Sequence, residues 1–154
     1  MIRLRCTLAL FATLVAVQQL AAQERKITRR ELPAAVARTV EAQSQGATVR
    51  GYSEEKEKGQ TFYEVELRVN GHTRDVLIDA NGAVVEVEEQ VNLVDLPAPV
   101  RHALLAGAGS GKLRSVESVT KGGQIVAYEG HVNTNGKWSE VKVGPDGKPL
   151  PSEQ

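Results

Sequence analysis

From residue 63 the chain alternates strictly. Tyr63, Val65, Leu67 and Val69 are apolar, while Glu64, Glu66 and Arg68 between them are charged. A period of two puts the apolar set on one face of a β-strand and the charged set on the other. Asn70-Gly71 follows, a pair suited to a two-residue type I′ hairpin because both positions tolerate positive φ. That loop sets Val65 opposite Val76 and Tyr63 opposite Ile78. A second two-residue loop at Asn81-Gly82 then sets Ile78 opposite Val85 and Val76 opposite Val87. All of these residues are apolar and fall on one side, and a slip of one residue would scatter them over both faces. A further strand is predicted over 48–54, ahead of the alternating one.

Upstream the period changes. Val36 and Val40 stand four apart in an alanine-rich stretch, the spacing of one helical face. Pro33 suits the first helical turn, where a missing N–H is not needed. Thr28 and Glu31 have capping-box spacing, but a helix capped there would contain Pro33, so a start at Leu32 or Pro33 and an end at Gly46 are predicted.

The whole pattern then returns. Glu31-Leu32-Pro33-Ala34-Ala35-Val36 reappears as Asp95-Leu96-Pro97-Ala98-Pro99-Val100, Asn70-Gly71 as Asn135-Gly136, and Asn81-Gly82 as Asp146-Gly147. The offset is 64 residues early and 65 later. Val100 and Leu104 repeat the helical face, residues 107–111 end the helix, and 113–119 repeat the first strand. Val126, Tyr128, Gly130 and Val132 take the inner parity, with Gly130 opposite Val141, Tyr128 opposite Val143, and Val143 opposite Leu150. A period of this length is one supersecondary unit used twice. The fold class expected is α+β: two tandem units, over 27–91 and 95–151, each a helix packed on an antiparallel four-stranded meander.

The first residues are expected to lie outside this fold. Arg3 and Arg5 precede an apolar run from Thr7 to Val17, and Leu20-Ala21-Ala22 ends in small residues. This is the pattern of a secretory signal peptide over 1–22, cleaved near Ala22. The run is shorter than the roughly 20 apolar residues that span a bilayer, and nothing later in the sequence reads as a span. Cys6, the only cysteine, falls ahead of the apolar run, so the mature chain has no disulfide, thiolate ligand or cysteine nucleophile. The chain carries 19 basic and 19 acidic residues, and processing would leave it slightly acidic. That balance excludes the basic footprint of a nucleic-acid binder.

The repeated Leu-Pro-Ala segments, Tyr63-Glu64-Val65, Tyr128-Glu129-Gly130, and the turns Asp79-Ala80-Asn81-Gly82 and Pro145-Asp146-Gly147 resemble the PepSY-like family, which is similar to the beta-lactamase-inhibitor protein. The resemblance covers essentially the whole mature chain. It implies an exported, bacterial, periplasmic or secreted protein without enzymatic activity or cofactor, which binds, and in some cases inhibits, another periplasmic protein. No residue here matches an inhibitory loop.

The same register assigns the outer face. Its first half holds Glu64, Glu66, Arg68, Asp75, Leu77, Glu86 and Glu88, with Glu66 opposite Asp75 and Asp75 opposite Glu88. Like charges across a ladder repel, and this acidic face is one candidate site, for a cation or small ligand. If it is merely a solvated face, Arg68, diagonal to Asp75, is expected to relieve the repulsion. In the second half Glu129 lies opposite Lys142, His131 opposite Glu140 and Asn133 opposite Trp138. A tryptophan on an open sheet face is a natural binding anchor, so Trp138, His131, Asn133, Glu140 and Lys142 form the other candidate, for a protein partner. The bland alternative is a Trp138 covered by a loop or by the other copy of the unit.

Other motifs carry less. Ala106 to Lys112 looks like a phosphate loop but lacks Gly at Ala106 and Ser or Thr at Leu113, and it runs from helix to strand rather than the reverse. His72, His102 and His131 share no ligand spacing. Asp79-Ala80-Asn81-Gly82 starts like a calcium loop, but Gln90 stands where the final glutamate belongs. No nucleophile constellation is evident, so a hydrolase has no support. Two readings therefore stand: a module recognising a periplasmic or secreted protein around Trp138, and a sensor or accessory module using the acidic face.

Overall fold

Alternation and turns do build strands. In the computed structural model, which describes residues 23–151, they are β1 (Gln23–Ile27), β2 (Thr48–Glu57), β3 (Gln60–Val69), β4 (His72–Asp79), β5 (Val84–Gln90), β6 (Lys112–Lys121), β7 (Gln124–Thr134) and β8 (Lys137–Val143). The helices are α1 (Ala34–Gln43) and α2 (Ala98–Ala108). Prolines 33 and 97 hold the N-cap positions, and the Thr28–Glu31 capping pair closes a separate 3₁₀ turn ahead of α1, with the Glu31 carboxylate accepting from the Thr28 amide at 2.8 Å. The signal-peptide segment lies outside the described residues.

The eight strands form one antiparallel sheet in chain order. This corrects the expected pair of four-stranded units in three ways. β5 pairs directly with β6, from Val87↔Thr120 to Gln90↔Glu117, so the halves share a sheet. A strand the sequence did not signal, β1, adds to β2, and all but its last residue precede position 27. The second half has three strands, not four: after β8 only a single bridge, Val143↔Pro149, continues the ladder. Two physical causes account for this. An unpaired β5 would present a row of free backbone groups, which β6 satisfies. Pro149 has no N–H to extend a ladder.

Partners in a ladder share a face. Leu67–Arg74–Glu89–Ser118–Tyr128–Val143 traces the face under both helices, and Glu66–Asp75–Glu88–Val119–Ala127 traces the opposite one. Under α1, Val36 and Val40 pack on Val65, Leu67, Val76 and Ile78. Under α2, Val100 and Leu104 pack on Val116, Tyr128 and Val143. Val65↔Val76, Tyr63↔Ile78, Val76↔Val87 and Tyr128↔Val143 pair as the turns require.

Three registers differ. Asn70-Gly71 makes the expected turn, with φ of 50° and 89°. At Asn81-Gly82, however, the Asp79 carboxylate accepts from the amides of Asn81 (2.9 Å) and Ala83 (2.8 Å), and the Asp79 amide bonds Ala83 O. The loop is one residue longer than a two-residue hairpin, Ile78 pairs with Val84 rather than Val85, and Val85 becomes a bulge residue. A second bulge, between Val119↔Ala127 and Thr120↔Ile125, frees Val126, which is exposed rather than inside. At the far turn Gly144 N donates to Lys148 O at 2.8 Å, and Pro149, not Leu150, bridges Val143.

The recurring Leu-Pro-Ala and Gly signatures have one physical meaning. Each turn glycine presses on the first turn of a helix: a Cβ at Gly82 would lie 2.9 Å from Ala35 O, and one at Gly147 2.7 Å from Pro99 O. Both helices therefore lie on one face, and among the described residues no helix covers the other.

Candidate functional site

The open face is built from charged positions that alternation pushes out of the core. Ser53 and Glu55 come from β2, Phe62, Glu64 and Glu66 from β3, Asp75 and Leu77 from β4, and Glu86 and Glu88 from β5. All of these except Ser53 and Glu66, together with Val85 and Lys121, line a cleft of about 530 Å³. Phe62, Leu77 and Val85 supply its apolar surface, and carboxyls supply the rest.

The carboxyls crowd one another. Asp75 pairs with Glu66 on one side and Glu88 on the other. Burial, then the charges of Glu64, Glu117 and Glu66, push Asp75 up to about 6. Burial and a hydrogen bond with Glu64 push Glu55 up to about 7. Burial, the charge of Glu129 and a hydrogen bond with Glu86 push Glu88 up to about 8. Ser53, fully buried, donates to Glu64 at 3.1 Å. Near neutral pH several carboxyls here still hold or share protons.

The chain's own cations sit around this centre. Lys26, from β1, bonds Glu66 and also reaches Glu24 at 3.2 Å, and these contacts hold its ammonium far above the ordinary lysine range. Lys121 meets Glu86 at 2.5 Å. Arg68 does not play the relieving role expected of it: its guanidinium donates to Gly71 O at 2.7 Å, on the turn.

The second half of the face is organised differently. Lys142 and Glu129 pair at 2.6 Å with side-chain exposures of only 12% and 7%, so this is an interior ion pair. His131 Nε2 meets Glu117 on β6 at 2.9 Å, and that bond, with the charges of Glu117 and Glu140, raises the imidazole's pKa. Glu140 remains opposite His131 across the β7–β8 ladder. Trp138 pairs with Asn133, whose side-chain oxygen accepts from Gly136 N at 3.1 Å, and Trp138 is 66% exposed, so no loop covers it. Trp138, Asn133, His131, Glu140 and Lys142 thus share the open face, on the two strands at its far edge.

Sequence reasoning missed Glu55, Glu117, Phe62 and Lys26. Glu55 and Phe62 share the parity of Glu64 and could have been found by extending β2 and β3. Lys26 could not, because β1 itself gave no signal. Among the described residues, no group of three or more His, Asp, Glu or Cys side chains could hold a metal ion, and no helix is long and apolar enough to cross a membrane.

No family model and no curated protein sequence matches the chain. Solved structures do. A candidate periplasmic protein from Bacteroides eggerthii superposes with a TM-score of 0.62 at 19% identity, over 77% of this chain and 86% of that one. A DUF2874 family protein from Bacteroides uniformis gives 0.60 at 17% identity, over 77% and 86%. A BLIP-like protein from Bacteroides fragilis gives 0.55 at 18% identity, over 77% and 83%. The fold is BLIP-like. At such identities the likeness lies in the backbone, and no side-chain role transfers with it.

Proposed function

We propose that this chain is an exported, non-enzymatic, PepSY-like binding module that recognises a periplasmic protein through its open sheet face, with Trp138 as the anchor. The observation that carries this reading is the exposure of Trp138, at 66%, on a face no helix covers. Large aromatic side chains on a rigid floor dominate protein interfaces. The floor here is rigid: the interior Lys142–Glu129 pair and the His131–Glu117 bond tie β6, β7 and β8 together beside it. Recognition would need burial of the ring and shape complementarity, with no covalent chemistry.

Periplasmic location is supported by the Arg3/Arg5, apolar-run and Ala21-Ala22 pattern, and by the candidate periplasmic protein among the structural neighbours. Processing near Ala22 would make β1 the first element of the mature chain, followed by segments 27–91 and 95–151 of one sheet. A BLIP-like neighbour makes enzyme inhibition the first activity to assay. The test is affinity capture from a native periplasm with wild type and Trp138→Ala, each first shown to melt alike. Loss of specific partners with Trp138→Ala supports the reading, and identical capture overturns it.

A second reading has its own observation. The acidic face, Glu64, Glu66, Asp75, Glu86 and Glu88, holds carboxyls pushed well above their usual range, and a cation would relieve them. A titration with a small organic cation that raises the melting temperature would support a sensor role, because a ligand of the native state must do so.

A further inference from the structure

We propose that the open-face cleft receives a lysine or arginine side chain from a cationic segment of the partner protein, a docking mode that rests on the protein-recognition reading above. Three observations on the sheet face point to this occupant.

The first is charge complementarity. The cleft walls are Glu55 and Glu64 on one side and Glu86 and Glu88 on the other, with Asp75 between them. The centre sets carboxyl against carboxyl: Asp75 stands between Glu66 and Glu88 in the ladder. An ammonium or guanidinium entering there meets several acceptors at once and removes a repulsion the fold otherwise carries.

The second is that the same face already holds ammonium groups around that centre. Lys26 reaches across from β1 to Glu66, Lys121 meets Glu86 at 2.5 Å, and Lys142 meets Glu129 at 2.6 Å. The chemistry proposed for the partner is thus the chemistry the chain uses with its own lysines.

The third is shape. A volume of about 530 Å³ lies within the range of sites that enclose a ligand group. Phe62, Leu77 and Val85 offer apolar contact to the methylene stem of a long basic side chain, whose charged end then lies among the carboxyls. A bare metal ion would gain nothing from that apolar surface. The cleft shares the face that carries Trp138: β5 and β8 are three strands apart, about 14 Å at the usual strand spacing. Asn133, the partner of Trp138, lies six residues along β7 from Ala127 at the level of Glu88, about 20 Å further along the strands, so the two sites are roughly eight extended residues apart. A single extended segment reaches both.

The elevated carboxyls add a signature. A docked cation favours their ionised forms, so binding releases protons and tightens as pH rises from about 6 to 8.

The probe is hexalysine, with fully acetylated hexalysine as a control of equal length lacking the charge. Backbone amide shifts are mapped on the wild-type protein at low salt. Support is binding of hexalysine, with shifts confined to residues 62–66, 75–77 and 85–88, none with the acetylated peptide, and about tenfold weaker binding by the Glu64→Gln/Asp75→Asn variant. Equal response to both peptides, or shifts mapping elsewhere, overturns the proposal. So does calcium chloride alone moving the same resonances, since the occupant is then a metal ion. Mapping on wild type keeps the test valid if the variant folds poorly. Failure here is separable from failure of the recognition reading. If Glu64→Gln/Asp75→Asn still captures the periplasmic partner that Trp138→Ala loses, the cationic mode falls and recognition stands. If Trp138→Ala captures as wild type does, recognition itself falls.

Discussion

Replacing Glu88 with glutamine should stabilise the protein by an amount that grows with pH. Burial and the neighbouring Glu129 and Glu86 push the folded-state pKa of Glu88 to about 8, against 4.5 for an ordinary glutamate. Below 4.5 both folded and unfolded chains hold the proton and pH does not matter. Between 4.5 and about 8 the folded chain keeps a proton that the unfolded chain has shed, so stability falls as pH rises through that window and levels off above it. The ceiling for one group is about 1.4 kcal/mol per pH unit. Glu88 is only partly enclosed, and solvent screening reduces this to about 0.5–0.8 kcal/mol per unit, or roughly 1.5–2.4 kcal/mol between about pH 5 and 8. Glutamine matches the protonated acid in shape and does not ionise. The variant should equal wild type near pH 5 and exceed it by that margin near pH 8. Urea unfolding at several pH values, with unchanged m-values, measures the difference. Parallel stability curves for the two proteins would refute the argument, for they would mean that Glu88 titrates alike folded and unfolded.

Other substitutions probe the frame around the site. Gly147→Ala combines a φ of +81° with a Cβ only 2.7 Å from Pro99 O, and thermal melts should show a loss of about 2–3 kcal/mol. Leu104→Ala, in the fully buried cluster under α2, should cost about 2–5 kcal/mol in chemical denaturation. Lys142→Ala leaves Glu129, 7% exposed, without its ammonium and should cost about 3 kcal/mol, whereas the double variant Lys142→Met/Glu129→Gln should recover most of it in a double-mutant cycle.

How much of this was legible depended on whether a residue's placement is decided locally. Asn70-Gly71 and Asn135-Gly136 carry their own backbone preference, so the registers they set, and the assignment of Glu64, Glu66 and Asp75 to the open face, follow from sequence. Asn81-Gly82 looks the same but is overruled by Asp79, whose carboxylate takes two amides and lengthens the loop. That single side chain moves Val85 out of the core and into the cleft. β1 was beyond reading: one of its residues, Ile27, packs on the core, and beyond its ladder with β2 its side chains are anchored by Arg25 on Glu31 and Glu54 and Lys26 on Glu66. Apart from Glu31, those partners come from distant segments, and no local pattern announces them. The cleft was invisible for a similar reason. Its concavity comes from twist accumulated over strands and from bulges near Gly51, Val85 and Val126, and none of this shows in alternation.

That both halves share one sheet changes what the site can be. With separate halves, the acidic residues on β3–β5 and the tryptophan on β8 are rival sites, and choosing one discards the other. The β5–β6 ladder joins them. Through Gln90↔Glu117 and Glu88↔Val119 it sets Glu117 and Glu129 against Glu88, so carboxyls from the second half help to raise a carboxyl of the first. Glu117 in turn holds His131, two ladder positions from the Asn133–Trp138 pair. Charge at the cleft and aromatic surface at the edge are then parts of one continuous face. On the proposed reading, a partner presenting a cationic residue to the first and an apolar patch to the second satisfies both at once, and the two halves of the sequence would contribute to binding only because they are hydrogen-bonded to each other.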